Sequence, residues 1–163
     1  MRSTFLMLML LAAVACGSGV DQQRFDPVYR AGKALHVAVE QTGGVGDSVE
    51  ALLTTFHTEI ATLDGRTRGD QEAAALAKYR EAADAYQFLL RLRFLDFEAV
   101  NGRVLLAGTN LVAANRYGLT VEDVQPDSSL GGHGWSNSAA ALKTLFELAP
   151  RTIAEADGLV NGQ

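Results

Sequence analysis

Histidine, cysteine and tryptophan are scarce in this 163-residue chain: His36, His57, His133, Cys16 and Trp135 are the only ones. His36 and Glu40 stand four apart, a spacing that puts two ligands on one helix face. A bound metal is therefore the first chemistry to weigh, and the residues argue against it. Zinc sites draw on more Cys and His than this chain has. A carboxylate-bridged di-iron bundle asks for Glu-x-x-His on two helices, and no glutamate here is followed by histidine three residues on. Covalent haem needs Cys-x-x-Cys-His, which is absent. His36 lies beside Leu35 and Val39, and His57 between Leu53 and Ile60. Both read as half-buried histidines flanking an apolar stripe.

Other catalytic arrangements fail in the same way. No Gly-x-Ser-x-Gly elbow marks a serine nucleophile, and no glycine-rich loop is set to cradle phosphate. Asp96 with Glu98, and Glu122 with Asp123, are carboxylate neighbours that do not share a helix face, so they read as solvated charges. Arg91, Arg93 and Arg103 read as surface cations paired with Asp96 and Glu98. The least ordinary stretch is Gly131-Gly132-His133-Gly134-Trp135-Ser136-Asn137. His133 and Trp135 make it a candidate partner or ligand loop, because functional groups concentrate on loops. The competing reading makes Trp135 a hydrophobic staple before a Ser136 helix cap, tucked into the end of the fold; we take that as the first expectation.

Cys16 has a different chemistry. Arg2 precedes an unbroken apolar run, Phe5 to Val14, and small Ala15 stands before the cysteine. A charged start, a short apolar segment and a small-residue cleavage site form an export signal. The run is shorter than the roughly 20 residues a membrane crossing takes. A sole cysteine in an exported chain has no partner for an internal disulfide. Ala13-Val14-Ala15-Cys16 resembles the lipobox of bacterial lipoproteins, with Ala13 where leucine is usual. The resemblance covers the export signal only. It implies that the Cys16 thiol takes a diacylglycerol, that residues 1–15 are removed, and that the new amine is acylated. Gly17 is not the acidic residue associated with inner-membrane retention, so an outer-membrane address is expected in a Gram-negative host.

These features sit on a helical framework. Removing fifteen residues from 163 leaves 148, one domain's worth. Removing Arg2 leaves thirteen basic against nineteen acidic residues, a net charge of −6. Such a chain has no long-range attraction for nucleic acid. Residues 16–24 read as a flexible tether and 25–163 as the folded domain. Phe25, Val28, Gly32, Leu35 and Val39 step by three and four, one helix face, with Asp26-Pro27 as its start. A second helix opens at Asp47, where Asp47 and Glu50 have capping-box spacing, and carries Leu52, Leu53, Phe56, Ile60 and Leu63. Asp70 to Val100 holds neither Gly nor Pro, and Tyr79, Ala83, Tyr86, Leu90, Phe94 and Phe97 form its stripe. A fourth helix is expected over 103–117, then a loop over 119–135. A last helix from Ser136 carries Leu142, Leu145, Phe146, Ala149, Ile153, Ala156 and Leu159, kinked or split at Pro150.

No stretch alternates as a half-buried strand does. The expected fold is all-α, an antiparallel bundle of four to five helices. The helical part faintly resembles small helical envelope lipoproteins of unassigned function, which implies no activity. Together these readings describe a lipid-anchored, periplasm-facing protein of the bacterial envelope. Its expected role is non-catalytic, structural or interacting, with the membrane and an envelope protein as partners and without cofactor or metal. The alternative is a helical bundle that binds a small molecule or metal between its helices.

Overall fold

The structure is a computed structural model that describes residues 20–126 and 132–162. Cys16, the export signal and Gly131 lie outside the described residues. Among the described residues five helices carry the fold: α1 Gln22–Thr42, α2 Asp47–Leu63, α3 Asp70–Asp96, α4 Thr109–Arg116 and α5 Ser138–Asn161. The fold is mostly helical, as the periodicity implies. A small antiparallel sheet is added, built from β1 Arg103–Ala107, β2 Glu122–Gln125 and β3 His133–Asn137, with β3 in the middle.

The core gathers around α3. That helix packs chiefly against α5 and also against α2, α1 and β1, while α1 pairs with α2 and α5. Ala75, Ala82, Ala83 and Ala85 are buried on α3 and let its neighbours come close, while Tyr79, Tyr86, Phe88, Leu89 and Leu92 fill the space between. Tyr79 stacks on Phe25 of α1 with ring centroids 6.2 Å apart and meets Phe56 of α2 edge-on at 6.3 Å. Gly32 makes a close approach here: a Cβ on it would lie 2.9 Å from the Ile153 Cδ1 of α5 and 3.1 Å from the Phe56 ring, so both would have to shift. Glycine thus lets α1 approach both partners.

A buried carboxylate fixes the start of this packing. Glu72, 2% exposed, stands in the first turn of α3. The Arg24 guanidinium donates to both its oxygens, at 3.1 and 3.3 Å. The backbone N–H groups of Arg68 and Asp21 donate to it at 2.6 and 3.4 Å. Arg24 also donates to the Arg66 carbonyl. One carboxylate therefore ties together the first turn of α1, the 66–68 turn and α3. Burial alone would push the Glu72 carboxyl up. The two backbone donors and the Arg24 charge outweigh it and hold the group below the usual carboxylate range.

Several local expectations are corrected. Helix α1 begins at Gln22 after an Asp21 cap, so the expected tether of 16–24 gives way to helix before its end and Pro27 lies inside α1. Helix α2 is preceded by Gly46, with no side-chain cap bond, so Asp47 and Glu50 form no capping box. Helix α5 runs through Pro150 without being split. The stripe of α3 leaves the core at its end: Leu90 is half-buried, and Phe94 and Phe97 are 69% and 78% exposed. No helix among the described residues is long and apolar enough to cross a membrane.

The largest correction concerns 103–137. Residues 103–107, expected to be helical, form β1, and 133–137, expected to end a loop and cap a helix, form β3. Leu105 pairs with Trp135, Val104 with Ser136 and Leu106 with Gly134. Val104 and Leu106 are buried against the helices, whereas Leu105 faces out. A five-residue strand gives too few alternations to stand out from a helical stripe, and its partner is thirty positions away. Gly134 permits the pairing, because a Cβ there would lie 2.5 Å from Val121 Cγ1 and 3.2 Å from the Glu122 carbonyl oxygen. Helix α5 is capped by Asn137, whose side chain accepts from the Ala140 N–H at 2.8 Å, and not by Ser136.

Two outcomes test this packing. Leu89→Ala, at a 2% exposed position, should cost about 2–5 kcal/mol in chemical denaturation, and Leu90→Ala clearly less. Equal costs would place the α3 face wrongly. The depressed Glu72 carboxyl contributes stability that is full above its unfolded value of about 4.3 and is lost as pH falls through the lower folded value. Glu72→Gln should therefore be less stable than the parent at neutral pH, and the gap should close in acid. A gap that does not change with pH would reject the hub.

Candidate functional site

The outer face of the sheet gathers the residues singled out in the 131–137 segment. Alternation along β3 turns His133, Trp135 and Asn137 away from the core and Gly134 and Ser136 toward it. Ser136 is buried and donates its hydroxyl to the Thr120 carbonyl at 2.8 Å. Trp135 is half-buried, opposite Leu105 on one side and Glu122 on the other. The Arg103 guanidinium lies 5.8 Å from its ring centroid. Arg103 also bridges Glu122 and Asp123, each at 3.0 Å. Between its two pairings β2 holds one residue more than β3, a bulge at which Asp123 takes φ +52°. The staple reading of Trp135 is thus corrected: the indole lies on a sheet face and packs under a cation, outside the buried core. His133 is half-buried beside it on the same face, opposite Ala107 and Gln125.

Near this face, Phe94, Phe97 and Val100 are exposed at the end of α3 and in the turn before β1, and Leu105 and Val124 are exposed on the sheet. The three expected cations are spread out. Arg93 pairs with Asp96 at 3.7 Å and donates to the Gly43 carbonyl, Arg91 reaches Asn110, and Arg103 takes the β2 carboxylates rather than Glu98.

A second polar region lies between α1, α3 and α5. His36 is half-buried, as expected, with Nε2 3.4 Å from Glu40. Its ring centroid lies 6.4 Å from that of Tyr86 and 5.7 Å from that of Phe146. His36 Nδ1 and the Tyr86 and Tyr79 hydroxyls are buried without a hydrogen-bond partner among the described residues. Burial pushes both phenols well up, so they stay protonated. His57, expected to be half-buried, is exposed on α2. No group of three or more His, Cys, Asp or Glu that could hold a metal ion occurs among the described residues.

Clefts run along the α1–α5 seam. One of about 490 Å³ includes Phe25, Asp26, Tyr29, Asp157 and Val160. The next, about 390 Å³, includes Tyr29, Lys33, His36, Ile153 and Asp157. Tyr29 and Asp157 line both. The sequence carried a signal for this seam that the helix-face reading passed over: Asp157 sits four after Ile153 and three before Val160, on the buried stripe of α5. Tyr29, Lys33 and His36 have the matching spacing on α1.

Truncating Trp135 separates the two readings of the indole. Trp135→Ala should cost about 1–2 kcal/mol, against about 3–5 kcal/mol for a fully buried aromatic. Emission of the single Trp should be quenched by acrylamide to an intermediate degree, as fits a half-buried ring. A blue-shifted, protected signal with a large loss of stability would restore the staple.

No family model matches this chain, and neither a curated protein nor a solved structure matches it.

Proposed function

We propose that this chain is a lipid-anchored protein of the bacterial envelope that holds another protein at the end of the molecule farthest from its anchor. The long helices are read as an antiparallel bundle. Supporting this, one α1–α5 cleft joins Gln22 and Phe25 to Val160 and Asn161, and another joins Glu40 and Gly43 to Lys143 and Phe146. The start of α1 therefore meets the end of α5, and the reverse.

The observation that carries the reading is where exposed apolar side chains fall relative to the start of α1. Helix α1 begins six residues after Cys16, a reach of at most about 20 Å. The Arg24–Glu72 pair sets that beginning beside the start of α3. From Glu72 to Phe94 the helix rises about 33 Å. Phe94, Phe97, Val100 and the outer sheet face are thus grouped far from the anchor. An exposed cluster of aromatic and aliphatic residues rimmed by charge is the usual character of a protein-binding face. Trp135 and Arg103, residue types enriched at binding hot spots, stand on that sheet face. A lipid anchor with two or more chains holds stably, so the face would be presented to the periplasm.

Two measurements test the reading in turn. Cys16→Ser should abolish lipid labelling and release the protein from the membrane fraction. Unchanged partitioning into detergent would reject the anchor. Cross-linking in intact cells should then yield a discrete adduct that Phe94→Ser/Phe97→Ser removes, with the melting temperature of the double variant unchanged because both positions are exposed. The same adduct from parent and variant would reject the binding face.

A further inference from the structure

We propose that the α1–α5 seam binds an organic ammonium ion, with Asp157 as its counter-ion and Tyr29 as its aromatic wall. This goes beyond the partner-binding reading and uses the opposite end of the molecule. The two clefts that share these residues, about 490 and 390 Å³, are each in the size range of small-molecule sites.

What points to a cation is one carboxylate of the seam that no ion pair fills. Among the described residues, Glu59 and Asp157 are the half-buried carboxylates without an ion pair, and Asp157 lines both clefts. Its neighbour Asp26 is already neutralised by Arg30, at 2.8 and 3.1 Å. Lys78 is held by Glu81 and Glu155 at 3.3 and 2.8 Å. A carboxylate drawn part-way out of water and left unpaired favours an incoming positive charge.

The ring supplies the second half of the site. Lys33 already rests its ammonium 5.4 Å from the Tyr29 ring centroid, so one face of the ring accepts a cation. Lys33 is exposed on a flexible stem and has no carboxylate partner among the described residues. It occupies the position an incoming ammonium would take and competes with it. Phe25, Ile153 and Val160 give apolar walls, so the ligand class is an amine carrying an aromatic or aliphatic body rather than a bare inorganic ion.

The test titrates the purified full chain with 2-phenylethylammonium and with neutral 2-phenylethanol, read by backbone amide chemical shifts. The ammonium should give saturable shifts at Tyr29, Asp157 and Val160, and the alcohol should bind at least about tenfold more weakly. Asp157→Asn should lose about tenfold in affinity for the ammonium and leave the melting temperature unchanged. Lys33→Ala, a surface change, should bind the ammonium more tightly than the parent. Equal affinity for alcohol and ammonium, shifts that do not saturate, or no gain in Lys33→Ala would each overturn the proposal. If Asp157→Asn proves unstable, the Lys33→Ala and alcohol arms still decide it.

Discussion

Helix α3 is covered on more than one side, and the other elements are arranged by what is needed to cover it. Its buried positions are not a single stripe: Ala75, Leu76, Tyr79, Ala82, Ala83, Ala85, Tyr86, Phe88, Leu89 and Leu92 spread around the helix. A helix with apolar residues on several faces is stable only as the centre of a larger packing. The alanines let the neighbouring helices lie close, and Tyr79 fills the space toward Phe25 of α1 and Phe56 of α2. Phe88 stacks on Tyr117, just after α4, at 5.9 Å. The chain before and after α3 is thereby committed to wrapping it.

Glu72 sets where this wrapping starts. A buried carboxylate is costly unless its oxygens are filled, and here two backbone N–H groups and one guanidinium fill them. The same bonds hold the entry of α1 beside the entry of α3. This explains why a charged residue in a first helical turn is one of the least exposed side chains in the protein. It is a satisfied group with an anchoring role, and its donors leave little room for acid–base chemistry.

The two ends of the molecule then differ in a way that follows from α3. At its start, α1, α5 and the 66–68 turn are bound together, yet α1 and α5 meet less closely than α3 and α5 do, and clefts remain along their seam. At its far end, α3 outruns its neighbours and exposes Phe94 and Phe97. Strand β1 turns back from there and recruits β3, whose outer face carries Trp135 under Arg103. A polar, carboxylate-bearing seam and an apolar, aromatic face are therefore set at opposite ends of one long helix.

The sequence alone determined the helices with long runs. Periodicity over many turns placed α1, α2, α3 and α5 to within a few residues, because each turn repeats the same constraint. Tertiary structure decided the rest. Strands β1 and β3 are five residues each and meet across thirty positions, so neither carries enough local pattern to announce itself. Trp135 moved from an expected staple to a sheet face because β3 pairing, not helix capping, sets its direction. Phe94 and Phe97 continue the stripe of Tyr79 and Tyr86 in sequence but lose their cover in space. A helical period states which residues share a face; only the neighbouring elements decide how far along that face the core extends.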